Sequence, residues 1–252
     1  MGLLTPGEVR RAAFVLLGSG MALLALLALR SGPFMLLLGA IGAISALTYT
    51  GKPFALASRG LGELVVGLNF GPVLVAAGYY VQARSFPPAA LLIAAPMMLL
   101  VTAILAVNEF PDYAGDRAAG KRTLVVRLGR QRASYFYAAL VGLAYLSIVA
   151  GVLAGQLPGE ALIALGSAPL GLAAVRNVLS HYDRPVAMSP ASVQTIVNHM
   201  ITGLLMAVAL WSAGSSLPIP PLVAGSALAV FLSLRSYRAL DGMRRMAVAG
   251  RV

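Results

Sequence analysis

The residues best suited to chemistry lie in one polar stretch, 108–122, of an otherwise apolar chain. This stretch, NEFPDYAGDRAAGKR, holds three carboxylates and three cations, although only 11% of the 252 residues are charged. Three of its side chains recur at every fourth position: Asn108, Asp112 and Asp116. On a helix they share one face and can converge on one ligand. With Lys121 and Arg122 close behind, we predict that Asp112 and Asp116 bind a divalent metal ion that holds a phosphorylated substrate.

The composition predicts a polytopic membrane protein. Hydrophobic residues make up 59% of the chain, and the mean hydropathy is +0.86. Apolar runs long enough to cross a bilayer occur at 12–29, 33–49, 61–83, 88–107, 133–155, 158–175, 193–213 and 217–234. The predicted fold class is an all-α transmembrane helical bundle of about eight spans, in a single domain over residues 1–252. Cysteine is absent, which excludes disulfides and thiolate metal sites.

Lysine and arginine are distributed unevenly between the two sides of the predicted membrane. Of the 19 cations, seventeen fall in one set of alternate segments, and the other set holds only Arg30 and Arg84. This asymmetry places both termini and the 108–132 loop in the cytoplasm. Topology therefore accounts for the net charge of +11 without nucleic acid as a partner. The basic tail at 235–252 is expected to contact the anionic headgroups of membrane lipids.

Local rules predict how the polar stretch is built. Phe110 precedes Pro111, and a residue before proline disfavours helical geometry, so the fourth span should end near 107–108. A short cytoplasmic helix should then begin at Pro111, with Asp112 and Asp116 near the positive end of its dipole. After it, a glycine turn should return the basic pair to the same space. The plainer alternative is a solvated loop whose acids pair only with its own bases.

A second polar cluster lies on the same predicted side, at 49–63. Lys52 and Arg59 are either topology determinants or further clamps on a diphosphate, with nearby glycines allowing close backbone approach. Glu63, at the head of a span, either stabilises the helix dipole, the interpretation we favour, or contacts substrate.

Tyr49, Glu63 and Asn69 are the candidates for the wall of a substrate cavity. Asn69 lies one turn before Pro72, where we expect a kink in the third span. For Asn69 the favoured interpretation is a hydrogen bond between helices, and the functional one is a polar group that lines a cavity.

Together these motifs resemble those of the UbiA-type intramembrane prenyltransferases. The Asn108–Asp112–Asp116 pattern resembles the second of the family's two aspartate-rich motifs, and GKRTL at 120–124 resembles the segment that follows it. Within the family, three further motifs are most similar to the 1,4-dihydroxy-2-naphthoate polyprenyltransferases of menaquinone synthesis: YTGKP at 49–53, GLGE at 60–63 and FGP at 70–72.

The resemblance implies a helical bundle with a central cavity open sideways to lipid. Mg²⁺ held by the aspartates would bind the diphosphate of a polyprenyl diphosphate, assisted by Lys121, Arg122, Lys52 and Arg59. Ionisation gives an allylic carbocation, which an electron-rich aromatic ring attacks; in the naphthoate subfamily the ring carboxylate leaves as carbon dioxide. The implied location is the plasma or inner membrane of a prokaryote, with the active site facing the cytoplasm.

Other functions stay open on the sequence. Within the family, the acceptor could instead be 4-hydroxybenzoate, homogentisate or a glycerol-phosphate lipid. A membrane transporter or lipid-binding scaffold is the alternative from another class, although its ionisable groups would be expected near the membrane midplane and not at one rim.

One departure from the family concerns the first aspartate-rich motif. The segment 2–11 resembles the residues that follow that motif, but the motif itself and the two spans before it are absent. We therefore expect a late start site, a fragment or a degenerate member. With one metal position lacking its protein ligands, the 252-residue chain is expected to be poorly active.

Overall fold

The computed structural model describes residues 5–87 and 90–214, together with Phe231 and Arg235. Within them the chain forms helices and no strands. The α-helices are α1 (Pro6–Ser31), α2 (Phe34–Thr50), α3 (Gly62–Leu68), α4 (Leu74–Ala83), α5 (Ala90–Ala118), α6 (Leu124–Leu128), α7 (Arg130–Leu153), α8 (Ala168–His181) and α9 (Pro185–Ala213). Two 3₁₀ segments, Leu56–Arg59 and Gly159–Ser167, and one π-helical segment, Asn69–Val73, connect them.

The predicted class, a polytopic helical membrane bundle, is confirmed. In the described part of the chain, six helical stretches are long and apolar enough to cross a membrane: Pro6–Ser31, Gly62–Ala83, Ala90–Ala118, Arg130–Leu153, Gly159–His181 and Pro185–Ala213. The helix Phe34–Thr50 is apolar but shorter. These seven correspond to the first seven predicted runs. The eighth, at 217–234, and the basic tail at 235–252 lie outside the described residues apart from Phe231 and Arg235.

The packed core lies among α5, α7, α8 and α9. Phe110 and Tyr137 are at most 1% exposed there, and alanines such as Ala103 and Ala144 let the helices approach closely. By contrast, α1 buries only Ser31 and exposes large apolar side chains along its length. That pattern is typical of a helix that faces lipid.

Helix α5 continues through Pro111, so the predicted helix break near residues 107–108 is wrong. Proline inside a helix costs about 3 kcal/mol, but Phe110 is 1% exposed and packs into the core. Burial of a phenylalanine contributes about 1.5–3 kcal/mol, which largely offsets the local penalty. Asp112 and Asp116 consequently lie in the C-terminal part of a long helix, and their predicted position at a positive helix end is also wrong.

The third predicted span is helical over Gly62–Ala83, with Pro72 inside the π-helical segment Asn69–Val73. The disturbance expected at Pro72 therefore takes the form of a wider helical turn. Close packing on α5 depends on Gly71, because a side-chain Cβ there would lie 2.5 Å from Cβ of Met98.

Candidate functional site

One face of α5 carries the three side chains predicted from their spacing. Asn108, Asp112 and Asp116 lie four residues apart on this unbroken helix. Asn108 and Asp112 are exposed, whereas the Asp116 side chain is only 13% exposed. Because Asp116 lies in the last turn, the helix dipole opposes its negative charge, which favours a cation nearby.

Lys121 supplies that cation. Gly120 has a φ of +74°, the turn expected from the sequence, and it brings Lys121 back over the end of α5. Nζ of Lys121 donates a hydrogen bond of 2.7 Å to Oδ1 of Asp116. This bond, the charge on Asp116 and the charge on Asp112 raise the pKa of Lys121. Both aspartates and the lysine therefore form one electrostatic cluster, which we call the acidic cluster.

The alternative that the acids of the polar stretch pair only with bases of the same loop holds for one of the two aspartates. Asp116 pairs with a base of its own loop, as that interpretation predicts. Among the described residues, however, no cation lies within ion-pair distance of Asp112. Asp112 is thus open to an additional positive ligand.

Arg122 lies where two loops pack against each other. Its backbone N–H donates to the carbonyl of Ser58 at 2.8 Å, and its own carbonyl accepts a 3.0 Å bond from Nε of Arg127. Gly60, with a φ of +69°, makes this packing possible, because a Cβ there would lie within 2.9 Å of Arg127 and of the Arg122 carbonyl. The close backbone approach expected at Gly60 is therefore made to Arg122 and Arg127, in the segment after α5, and not to a ligand.

Lys52 and Arg59 lie on the loop between α2 and α3. Nη2 of Arg59 donates to the carbonyl of Pro53 at 2.7 Å, and Lys52 is exposed. No hydrogen bond or ion pair of the described residues joins either side chain to the acidic cluster. Their role as diphosphate clamps stays a prediction.

Glu63 and Glu109 form a buried carboxyl pair that sequence reasoning missed. They are 3% and 9% exposed, and the two carboxyl groups interact electrostatically. Oε1 of Glu63 accepts the N–H of Leu124 at 3.0 Å, and Oε2 of Glu109 accepts the N–H of Val125 at 3.2 Å. Glu63 does lie in the first turn of α3, as the dipole interpretation requires, but it also holds the loop after α5.

The sequence contained a signal for Glu109. It lies seven residues after Thr102, and two helical turns place both on the same face of α5, which is buried. An acidic residue in phase with a buried face of a helix indicates a structural or positioning role.

A cavity of about 530 Å³ opens between α2 and α3, beside this carboxyl pair. Its lining is almost wholly apolar or small: Gly42, Ser45, Ala46, Tyr49, Val65, Val66, Asn69 and Phe70. Two of the three predicted cavity residues, Tyr49 and Asn69, thus lie in its wall. The third, Glu63, is buried and is not among the lining residues, but it and Glu109 act electrostatically on the Tyr49 hydroxyl.

Asn69 satisfies its amide within its own helix. Nδ2 donates to the carbonyl of Val65 at 2.8 Å, so the hydrogen bond between helices that we favoured is wrong. The wider π-helical turn that begins at Asn69 orients this side chain along the cavity wall.

The acidic cluster supplies few metal ligands by itself. No group of three or more His, Cys, Asp or Glu side chains that could enclose a metal ion occurs among residues 5–87 and 90–214. Carboxylate oxygens nevertheless suit Mg²⁺, which is commonly held by one or two carboxylates and by substrate phosphates. Asp112 and Asp116 fit that mode of binding.

Comparisons with known proteins show the family to which the chain belongs. The sequence model of the UbiA prenyltransferase family matches residues 1–191. Over 215 residues the chain is 35% identical to the 1,4-dihydroxy-2-naphthoate octaprenyltransferase of Escherichia coli, covering 81% of this chain and 68% of the relative. No solved structure matches the chain significantly.

Two other relatives are matched over less of their length. The 2-carboxy-1,4-naphthoquinone phytyltransferase of Synechocystis sp. is 35% identical over 64% of this chain and 52% of the relative. The 1,4-dihydroxy-2-naphthoate octaprenyltransferase of Bacillus subtilis is 28% identical over 70% of this chain and 57% of the relative. The chain therefore spans between about half and two thirds of the length of these curated relatives.

Proposed function

Because the chain belongs to the UbiA prenyltransferase family, we propose that it transfers a polyprenyl group from a polyprenyl diphosphate to an aromatic acceptor. The acceptor we propose is 1,4-dihydroxy-2-naphthoate, since that compound is named in two of the three relatives described above. The observation that carries the proposal is the acidic cluster with its lysine, at the same end of the bundle as an apolar cavity.

The acidic cluster is the proposed binding site for the diphosphate. Asp112 and Asp116 would hold Mg²⁺, with Asn108 as a further oxygen donor, and the metal would neutralise charge on the leaving diphosphate. Lys121 would bind the diphosphate oxygens, for which its raised pKa keeps it cationic. Arg122, on the same loop, would add a second cation.

The apolar cavity is the proposed site of the carbon chemistry. The allylic C–O bond breaks, its electron pair leaves with the diphosphate, and the aromatic carbon forms the new C–C bond. With a naphthoate acceptor, loss of carbon dioxide from that carbon restores the aromatic ring. Walls such as Val65, Val66 and Phe70 would exclude water that quenches the cation. Tyr49 and Asn69 would orient the polar groups of the acceptor.

The orientation in the membrane follows from the charges. We propose that the end of the bundle with the acidic cluster faces the cytoplasm, because seventeen of the 19 cations belong to the segments on that side. Anionic lipid headgroups would then surround this rim.

Labelled polyprenyl diphosphate and a panel of acceptors test this function. Purified protein with Mg²⁺ should prenylate 1,4-dihydroxy-2-naphthoate in preference to 4-hydroxybenzoate, homogentisate and a glycerol-phosphate lipid. Asp112→Asn and Asp116→Asn should each lower transfer about 100-fold or more, because metal-ion stabilisation of developing charge amounts to several kcal/mol.

Asp183→Asn is the matched control, since Asp183 is an exposed acid between α8 and α9 that forms no ion pair with the cluster among the described residues. It should retain full transfer. Equal transfer by Asp112→Asn, Asp116→Asn and wild type would contradict the proposed role of the acidic cluster. If the protein prefers another acceptor, that compound replaces 1,4-dihydroxy-2-naphthoate in the proposed function.

A further inference from the structure

The short helix α6 (Leu124–Leu128) begins on two carboxylates that come from different helices. The first amides of a helix have no partner within it and need acceptors from elsewhere. Glu63 of α3 accepts from Leu124, and Glu109 of α5 accepts from Val125. Three residues before Leu124 the chain carries Lys121, which contacts Asp116. The loop with the basic pair is therefore fixed at its far end by these carboxylates.

The two groups that cap α6 are unusual for a helix cap because both are buried acidic side chains. A neutral Ser, Thr or Asn side chain is sufficient to cap a helix, whereas burying a carboxyl without a cation is costly. Within the described part of the chain, neither Glu63 nor Glu109 has a cation within ion-pair distance. Oε2 of Glu63 has no hydrogen-bond donor there either.

Of the two carboxylates, Glu63 connects separate parts of the site. Glu109 lies on α5 next to Asn108, so it joins the loop to the helix that already carries the acidic cluster. Glu63 belongs to α3, whose residues Val65 and Val66 line the cavity. Its backbone carbonyl also lies 3.4 Å from Oγ1 of Thr102 on α5, a hydroxyl whose shorter bond, of 2.7 Å, goes to Met98. Glu63 therefore joins the cavity wall, α5 and the basic loop.

We propose that Glu63 is a positioning residue for the diphosphate site: by holding the amide of Leu124, it keeps Lys121 on Asp116 and Arg122 beside it in the same loop. This inference rests on the proposed function. Glu63 does not touch the substrate in this role. Its loss should weaken binding of the diphosphate and leave binding of the aromatic acceptor unchanged.

Three variants separate positioning from other roles. Glu63→Leu removes the acceptor for Leu124, whereas Glu63→Gln keeps an acceptor oxygen of the same reach. Glu63→Asp withdraws the carboxylate by one methylene, and it tests the same contact if Glu63→Leu does not fold. Glu160→Leu is the matched control, because Glu160 is an exposed acid in the first turn of the 3₁₀ segment Gly159–Ser167.

Steady-state kinetics provide the first readout. We expect Glu63→Leu to raise KM for polyprenyl diphosphate about tenfold, as for loss of a hydrogen bond to a charged group. KM for the acceptor should change less than about twofold, and Glu63→Gln should restore near-normal values. An unchanged diphosphate KM in folded Glu63→Leu or Glu63→Asp, or an equal rise in both KM values, would overturn the proposal. Glu63→Gln as impaired as Glu63→Leu would also overturn it, because the carboxylate charge would then matter directly.

Hydrogen exchange gives a readout that does not depend on transferase activity. The amide of Leu124 should exchange faster in Glu63→Leu and Glu63→Asp than in wild type, and inorganic diphosphate with Mg²⁺ should bind more weakly. If wild type binds diphosphate but transfers no prenyl group, the proposed function fails while these measurements still test Glu63. Unchanged exchange at Leu124 would overturn the positioning role even in an active enzyme.

Discussion

Nζ of Lys121 and Oδ1 of Asp116 lie 2.7 Å apart, and this contact joins the loop after α5 to the acidic face of that helix. The Lys121 side chain is 49% exposed, so the pair contributes little to folding. A diphosphate would instead use the lysine as a cationic ligand.

Lys121→Met should therefore affect binding and not stability. We expect KM for polyprenyl diphosphate to rise about tenfold, the melting temperature to stay unchanged, and Lys121→Arg to restore part of the affinity. Steady-state kinetics and thermal unfolding of the three proteins measure this. An unaltered KM in Lys121→Met would show that the lysine has no part in diphosphate binding.

The pH dependence of Lys121 follows from its neighbours. The hydrogen bond that Lys121 donates to Asp116, followed by the charges on Asp116 and Asp112, raises the pKa of Lys121, so its ammonium form persists to higher pH than in an ordinary lysine. Removing Asp116 must lower that pKa. In Asp116→Asn, without added divalent cation, acylation of the neutral amine should therefore begin at lower pH than in wild type.

Peptide mass spectrometry after brief acylation, from about pH 8 to 11, reports this shift. Asp183→Asn serves again as the control and should match wild type. Identical profiles for Asp116→Asn and wild type would mean that the ion pair does not persist in solution.

Alanine substitutions at Gly60 and Gly120 distinguish the effect of backbone strain from the effect of a steric clash. Both have positive φ, but a Cβ at Gly60 would meet Arg127 and the Arg122 carbonyl within 2.9 Å, whereas nothing lies within 4 Å at Gly120. Gly120→Ala should cost only about 1–2 kcal/mol of strain. Gly60→Ala should cost more and should weaken diphosphate binding, because it displaces the loop that holds Arg122. If Gly60→Ala and Gly120→Ala had equal effects on thermal unfolding and on KM for the diphosphate, a steric clash at Gly60 would be contradicted.

Gly42 controls the free space in the cavity. A Cβ there would meet only the Asn69 side chain, at 3.9 Å, so Gly42→Leu should project into the cavity without disturbing the core. We expect KM for a substrate of the cavity to rise by about tenfold with little change in melting temperature. Gly18→Leu, at an exposed position on α1 with nothing within 4 Å, is the control. Normal kinetics in Gly42→Leu would place the substrate elsewhere.

Tyr137 and Thr195 connect α7 to α9 by a 2.7 Å hydrogen bond between buried hydroxyls. Tyr137→Phe should lower stability by about 0.6–1.5 kcal/mol, the range for hydrogen bonds between membrane helices. Transfer at permissive temperature should stay normal, since both hydroxyls are buried in the helical core and bond to each other and not to the acidic cluster. Detergent-solubilised unfolding and activity assays together test both parts, and a loss of activity without a loss of stability would implicate Tyr137 in the site.

Hydropathy and charge were sufficient to predict the fold class, because apolar length and the backbone's need for internal hydrogen bonds leave few structures other than helices in a membrane. Spacing was likewise sufficient to place Asn108, Asp112 and Asp116 on one face. Local rules failed at Pro111, where the burial of Phe110 largely offsets the penalty of a proline within a helix. They failed again at Asn69, whose amide found a partner within its own helix.

The sequence by itself thus determined a membrane helical bundle with an acidic face and a basic pair close behind it. Only the tertiary structure decided that Gly60 fits against Arg127 and that Glu63 supports an amide 61 residues away. These contacts join positions far apart in the chain. Sequence periodicity shows which side chains share a face of one helix. Which residues that face contacts depends on how the helices pack.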